Sequence, residues 1–293
     1  MRKVLITGAE GYIGSHLVKL LAEWGGFEMD TMDIRFHGEY NDITKYVNES
    51  FSIFNDVTDR IMFDAYDTVV HLAGRSVVPQ SLKEPSEYYR VNTMGTDNLL
   101  RSVFSNHFIF ASTSSAFEMK SPYARSKVAA EDIIKERSDG YTIFRFFNVS
   151  GSDGIHRQLG PATHLIRRAA MVACGKIPHV EIFGDDYNTR DGTCIRDYIH
   201  VTDVCNSILS AILKGPTNTP YECLGSKQGY TVLDVITAMR NTTGQEIPIK
   251  LAPRRDGDAE CCIVDNLSEH CNLTKSLEQM CKDQFRLELN KYH

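Results

Sequence analysis

The chain has 293 residues, 42% hydrophobic and 24% charged, enough to bury one rich core or two modest ones without covalent staples. Abundant apolar residues and moderate charge exclude a disordered chain, and no run approaches the roughly 20 apolar residues of a membrane span. Acidic residues outnumber basic ones 38 to 32, a net charge of −6 that argues against nucleic acid as a bulk electrostatic partner.

Lys3–Thr7 (KVLIT) is a short apolar run of the kind that forms a buried strand. Residues 11–24 then carry Ile13, Leu17, Leu20, Leu21 and Trp24 at helical spacing, and Gly25 and Gly26 stop the helix. Further strands are expected at Phe27–Asp33, Ser52–Asp56, Thr68–Leu72, Phe108–Ala111 and Thr142–Phe146, with helices at Glu87–Ser105 and Pro122–Arg137. This alternation predicts an α/β fold with a Rossmann-like, doubly wound parallel sheet. Beyond it the pattern is more mixed. Helices are expected at Thr163–Cys174, Val201–Leu213, Thr231–Asn241 and Thr274–Leu289, and short extended runs at Glu181–Phe183 and Tyr221–Leu224. The break SGSDG near residue 153 suggests a first domain of residues 1–153 and a smaller mixed α/β domain of 154–293, part of 184–225 packing back on the first.

The turn between the first strand and the first helix reads TGAEGYIGSHL. Its glycines, Gly8, Gly11 and Gly14, allow a tight turn, close backbone approach to a pyrophosphate and close helix–strand packing, with the phosphates at the positive end of the helix. Asp33 lies 19 residues past Gly14, near the spacing of an acid that binds ribose hydroxyls, and its charge favours NAD over NADP. Later, SPYARSK places Tyr123 and Lys127 four residues apart, on one face of a helix that Ser121 can cap and Pro122 can open. An ammonium beside a phenol, near a helix N-terminus and an oxidised nicotinamide, favours phenolate and equips Tyr123 as a base. Thr113, at the end of the FIFAST strand, could bridge Tyr123 and a substrate hydroxyl, with Ser112, Ser114 and Ser115 as competing donors.

The glycine spacing resembles that of the short-chain dehydrogenases/reductases. Across nearly the whole chain, GAEGYIGSHL, VVHLAG, EYYRVNTMGTDNLL, ASTSS, SPYARSK, RFFNV, the run from Ile182 to Val204, VLDV and APRRDGD resemble the UDP-glucose 4-epimerase family of extended reductases. That resemblance implies an isomerase that epimerises C4 of a UDP-hexose through transient hydride transfer to NAD. It implies that Gly8, Gly11, Tyr12, Ile13 and Gly14 hold the pyrophosphate, Asp33 the adenosine ribose, and Asp56 and Val57 the adenine. Leu72, Ala73, Gly74 and Asn92 would line the cofactor. Asn148, Leu165, Arg196, Arg255 and Asp258 would hold the UDP moiety, the arginines pairing with its diphosphate, and Cys262 would lie against the sugar. Tyr198 is read as packing beside the site. A homodimer built on the helices within 87–105 and 122–137 is also implied.

Two departures stand out. Only nine residues separate Thr113 from Tyr123, with FEMK where the family has a longer loop, and His164 replaces a common asparagine. Pentose or hexuronate epimerases and a non-catalytic NAD-binding protein remain alternatives. A 4,6-dehydratase is disfavoured, because no carboxylate occupies positions 114 or 115. The N-terminus MRKVLITG has no signal-peptide pattern and none of the eight cysteines forms a CxxC pair, so a cytoplasmic protein with reduced thiols and no metal is expected.

Overall fold

A computed structural model describes residues 1–34, 40–47, 65–255 and 258–290. The expected strand Ser52–Asp56 lies outside the described residues. The chain divides into two units: Met1–Phe146 with Cys205–Cys223, and Phe147–Val204 with Leu224–His293.

The first unit is built on β1 (Arg2–Thr7), β2 (Phe27–Met32), β3 (Ala65–His71), β4 (Phe104–Thr113), β5 (Tyr141–Phe146) and β9 (Glu222–Leu224), in the order β2-β1-β3-β4-β5-β9. The pairs from β2 to β5 are parallel. Runs such as VLI, VV and FIFA are apolar at every position because such a sheet is covered on both faces. On one face Leu5, Val69, Phe108, Phe110 and Ile143 pack with Val91, Leu99, Ala130 and Ile134, residues of the segment 85–102 and of α5 (Pro122–Arg137). Strand residues of opposite parity, Val4, Ile6, Val70, Ile109 and Phe144, are buried too and point to the other face. There α1 (Tyr12–Trp24) buries Leu17, Val18 and Leu21, and Cys205 of α7 (Val201–Lys214) reaches the Ile13 carbonyl. The fully buried rings of Phe108, Phe110 and Phe144 each contribute about 1.5–3 kcal/mol relative to exposure.

The single helix expected over Glu87–Ser105 is corrected. Short helices α2 (Val78–Lys83) and α3 (Pro85–Tyr88) lead into a π-turn at Tyr89–Met94, and α4 (Gly95–Ser102) follows. Val103 then turns to extended backbone, and Phe104 and Ser105 pair with Ala65 and Tyr66 as the start of β4. Sheet pairing overrides helical periodicity at those two residues.

In the second unit, β8 (Ile195–His200) lies between β10 (Gly229–Thr231) and β12 (Cys261–Cys262) and also pairs with β6 (Asn148–Ser150). A separate parallel pair joins β7 (Val180–Phe183) and β11 (Ile249–Ala252). Helices α6 (Leu165–Ala173), α8 (Val232–Thr243) and α9 (Leu277–Leu289) bury Ile166, Ala169, Val235, Ile236, Met239, Leu277 and Met280 in one core. The last helix begins at Leu277, not at Thr274, because the Ser276 hydroxyl accepts the Gln279 N–H and caps it there. In the same way α8 starts at Val232, where Thr231 and Asp234 cap each other's backbone.

Candidate functional site

The strand order places a topological switch point between β1, whose helix runs on to β2, and β3. The C-terminal ends of such strands are where α/β sheets bind ligands. Gly8 stands there with φ of 70°, and a Cβ on it would lie 2.7 Å from the Ala73 nitrogen. A Cβ on Gly14 would sit 2.1 Å from the Gly8 carbonyl oxygen, so the turn packs glycine on glycine. Gly11 occupies the N-cap of α1 and no side chain caps that helix. The first-turn N–H groups thus form an anion-binding cradle. The Asp33 carboxylate sits beside this turn, accepting the Glu10 N–H at 2.9 Å and the Ile34 N–H at 2.7 Å. Asn41, which no local pattern singles out, steadies the turn by donating to the Glu10 carbonyl at 3.2 Å and the Gly11 carbonyl at 3.3 Å. These features fit a dinucleotide whose pyrophosphate meets the glycine turn. Asp56 and Val57 lie outside the described residues.

Beneath the cradle a hydrogen-bonded chain fixes the strand ends. Thr96 donates to the Asn92 carbonyl at 2.7 Å and lies 3.0 Å from His71 Nε2. His71 Nδ1 lies 2.7 Å from the Thr7 hydroxyl, which accepts the Ala73 N–H at 3.2 Å. Burial, assisted by the Lys127 charge, lowers the His71 pKa to about 3, so the ring is neutral and acts as a strut. The Asn92 side chain accepts the Arg75 N–H at 2.8 Å and donates to the Arg75 carbonyl and to Ser126 Oγ, both at 3.0 Å. A Cβ on Gly74 would press on Asn92 Oδ1 at 2.9 Å and on Lys127 Nζ at 3.0 Å, which brings Gly74, Asn92 and Lys127 together.

Helix α5 opens as its sequence requires, with the Ser121 hydroxyl accepting the Ala124 N–H and Pro122 in the first turn. Lys127 is buried, donates to the Ala111 carbonyl at 2.9 Å and lies 4.6 Å from the centre of the Phe110 ring. Burial lowers its pKa to about 8 against an opposing pull from Glu131, so it remains mainly an ammonium at neutral pH. The Tyr123 ring stands edge-on to Tyr88, with 6.3 Å between centroids. Burial raises the Tyr123 pKa, a hydrogen bond with Thr113 lowers it, and Tyr88 adds a smaller upward push. The expected depression of the phenol is therefore absent from the protein alone: the Lys127 ammonium is engaged by a backbone carbonyl. The shortened segment after Thr113 forms one tight turn, Ser114–Phe117, before the cap of α5, and Phe117 stands edge-on to Tyr221 at 5.4 Å.

The second unit gathers a different set. Arg255 donates to Asp258 at 2.9 Å and lies over the Phe183 ring at 4.4 Å. Arg196 approaches the same carboxylate at 4.0 Å, and Cys262 is its register partner on the neighbouring strand. Asn148 donates to the Asp197 carbonyl at 2.8 Å. Phe183 belongs to the run from Ile182 to Val204. Its signal was an aromatic beside an otherwise arginine- and aspartate-rich stretch. Leu165, at the first turn of α6, packs against the core of this unit, and His164 is the N-cap residue before it. The Tyr198 phenol is buried in that core and pushed far up by desolvation, so it packs.

Comparison with known proteins agrees with this geometry. Residues 4–223 match the model of the NAD dependent epimerase/dehydratase family, and the chain belongs to that family. Among its relatives, the UDP-glucose 4-epimerase of Halalkalibacterium halodurans is 34% identical over 297 aligned residues, spanning 90% of this chain and 87% of that protein. The structure of a UDP-glucose-4-epimerase from Stenotrophomonas maltophila, with bound NAD and formylated UDP-arabinopyranose, superposes with a TM-score of 0.86 at 27% identity, covering 100% of this chain and 99% of that one. The UDP-Glc/GlcNAc 4-epimerase of Campylobacter jejuni gives 0.77 at 31% identity, covering 99% and 100%. No helix among the described residues is long and apolar enough to cross a membrane.

Proposed function

We propose that this chain interconverts UDP-hexoses by epimerisation at C4. The observation that carries the reading is the end of β4 meeting α5: Thr113 acting on the Tyr123 phenol, and Lys127 anchored on Ala111, next to a glycine turn shaped for a dinucleotide. NAD, held by Gly8, Gly11 and Gly14 with Asp33 on its ribose, supplies the hydride acceptor and donor at C4. Tyr123 removes the 4-hydroxyl proton, and Thr113 orients that hydroxyl. Lys127 contributes the positive charge that the emerging phenolate needs. Arg196 and Arg255 hold the diphosphate; they are now paired to Asp258, and a dianionic diphosphate is a stronger bidentate partner. The 4-keto sugar then turns over and regains hydride on its other face, the proton returning from Tyr123. Incubation of the purified protein with a panel of UDP-sugars, products separated chromatographically, tests this. Interconversion of UDP-glucose and UDP-galactose is expected, and a protein that binds NAD but turns over no UDP-sugar overturns it.

We further propose that the N-acetyl pair is accepted. Cys262 beside Arg196 is far smaller than a tyrosine, and only nine residues separate Thr113 from Tyr123. Cys262→Tyr is expected to lose UDP-N-acetylglucosamine turnover while UDP-glucose turnover persists. Wild-type protein inactive on the N-acetyl pair, or equal loss of both activities, would sink the idea.

The assembly is proposed to be a homodimer. Leu82, Tyr89 and Met94, on and around the expected helices, are exposed, which suits a second copy of this chain as cover. Sedimentation at micromolar concentration is expected to give twice the chain mass; a monomer counts against it. Cys174, Cys194, Cys261 and Cys281 are free thiols, in keeping with a cytoplasmic location.

A further inference from the structure

The face of α5 that carries Tyr123 and Lys127 continues one turn further to Glu131. That side chain is fully buried. Arg145 of β5 grips it bidentately, Nε to Oε1 at 3.0 Å and a terminal nitrogen to Oε2 at 2.7 Å. The Ser112 hydroxyl donates to Oε1 at 2.5 Å. Two consecutive residues at the end of β4 therefore bond to α5, the Ala111 carbonyl taking Lys127 and Ser112 taking Glu131, and the next, Thr113, acts on the Tyr123 phenol. The Arg145 guanidinium is covered in turn by the rings of Tyr221 at 3.8 Å and Phe117 at 4.8 Å. Phe117 comes from the shortened segment, so this segment shields the ion pair behind the reacting residues.

We propose that Glu131 is a positioning residue for the Tyr123–Lys127 pair: it pins the end of β4 to α5 and presents a buried negative charge to the Lys127 ammonium. The proposal rests on the reading of Tyr123 and Lys127 as the catalytic pair. The charged and titratable groups around it are few. Lys135 approaches Glu131 from the same helix at 3.8 Å, and Arg145 faces it from β5. Lys127 is faced by His71 from β3, which is neutral, while β4 offers it only a carbonyl and the Phe110 ring. Glu131 acts on Lys127 in the charge-favouring sense, opposing its desolvation.

The test follows the Lys127 ammonium directly, by nitrogen NMR of lysine-labelled protein, its signal identified by its loss in Lys127→Ala. In Glu131→Gln the titration midpoint of Lys127 is expected to fall by about one pH unit, the size of a lost neighbouring opposite charge. The alkaline limb of kcat should move down with it, while KM for the UDP-hexose holds. Glu131→Asp, which keeps the charge, should restore the midpoint. Should Glu131→Gln not fold, the double variant Glu131→Gln/Arg145→Met leaves no orphaned buried charge and is expected to show a fall in the same direction, smaller because the Arg145 cation is removed as well. An unchanged midpoint and alkaline limb, with only thermal stability reduced, overturns the proposal. Wild-type protein without turnover would instead overturn the epimerase reading, and the NMR titration would still decide the role of Glu131.

Discussion

Tyr123→Phe is expected to remove turnover while leaving the fold and NAD binding in place. Among the described residues near the end of β4, the lost hydroxyl combines a titratable proton, the pull of Thr113 on it and a lysine one helical turn away. General acid–base participation of this kind is worth roughly 10²–10⁴ in rate, so kcat should fall by at least that much. The ring remains, and with it the edge-on contact to Tyr88 at 6.3 Å, so packing is conserved. In the free protein the phenol is held above its ordinary range by burial. The base form must therefore be favoured by charge brought in with the cofactor and by Lys127, and NAD-free protein should show no phenolate near neutral pH. The measurements are kcat with UDP-galactose, NAD retention after gel filtration, and thermal unfolding. A variant that keeps more than a few per cent of the wild-type rate would show that another group is the base.

The first unit was legible in the sequence because its strands and helices signal independently of distant contacts. VLI and FIFA are unbroken apolar runs, Gly25 ends α1 with φ of 80°, and Ser121–Pro122 starts α5 at the expected residue. The glycine turn was legible for the same reason: its glycines are demanded by backbone crowding that spacing alone announces. In the second unit the strand Ile195–His200 went unread. It carries Arg196 and Asp197 where a strand pattern calls for apolar residues, and only tertiary pairing makes this tolerable. Asp197 is fully buried yet accepts the N–H groups of Ser226, Lys227 and Val264 and the Ser226 hydroxyl. Such a carboxylate organises a loop 29 residues further on, a relation with no local periodicity. Asn41 and the Glu131–Arg145 pair were missed in the same way. Each acts through a partner far away in sequence, or is an ordinary helix or loop residue until its partner is known.

Lys127→Met is expected to abolish turnover and at the same time stabilise the cofactor-free protein at neutral pH. Lys127 is buried and its pKa is lowered by desolvation from 10.5 to about 8. Below pH 8 the lysine is charged in both folded and unfolded chains, and the folded state carries the full cost of a buried ammonium. Between about pH 8 and 10.5 the folded chain releases the proton while the unfolded chain keeps it, so wild-type stability rises with pH through that window. A shift of this size corresponds to about 3 kcal/mol, from which the lost hydrogen bond to Ala111 takes back roughly 1 kcal/mol. The methionine variant, similar in length and free of charge, should thus unfold at higher temperature at pH 7. Its advantage should shrink as the pH approaches 10. Added NAD is expected to narrow the gap at any pH, since on the proposed reading Lys127 takes part in holding the cofactor and only the wild type gains that contact. Thermal unfolding of both proteins at pH 7 and pH 9.5, with and without NAD, measures all of this. A variant less stable than wild type at pH 7, by a margin that pH does not change, would mean that the Ala111 bond and the packing around Phe110 outweigh the buried charge. If the expected pattern holds, the ammonium is kept in place against the stability of the fold, and its use in the reaction is the reason for its burial.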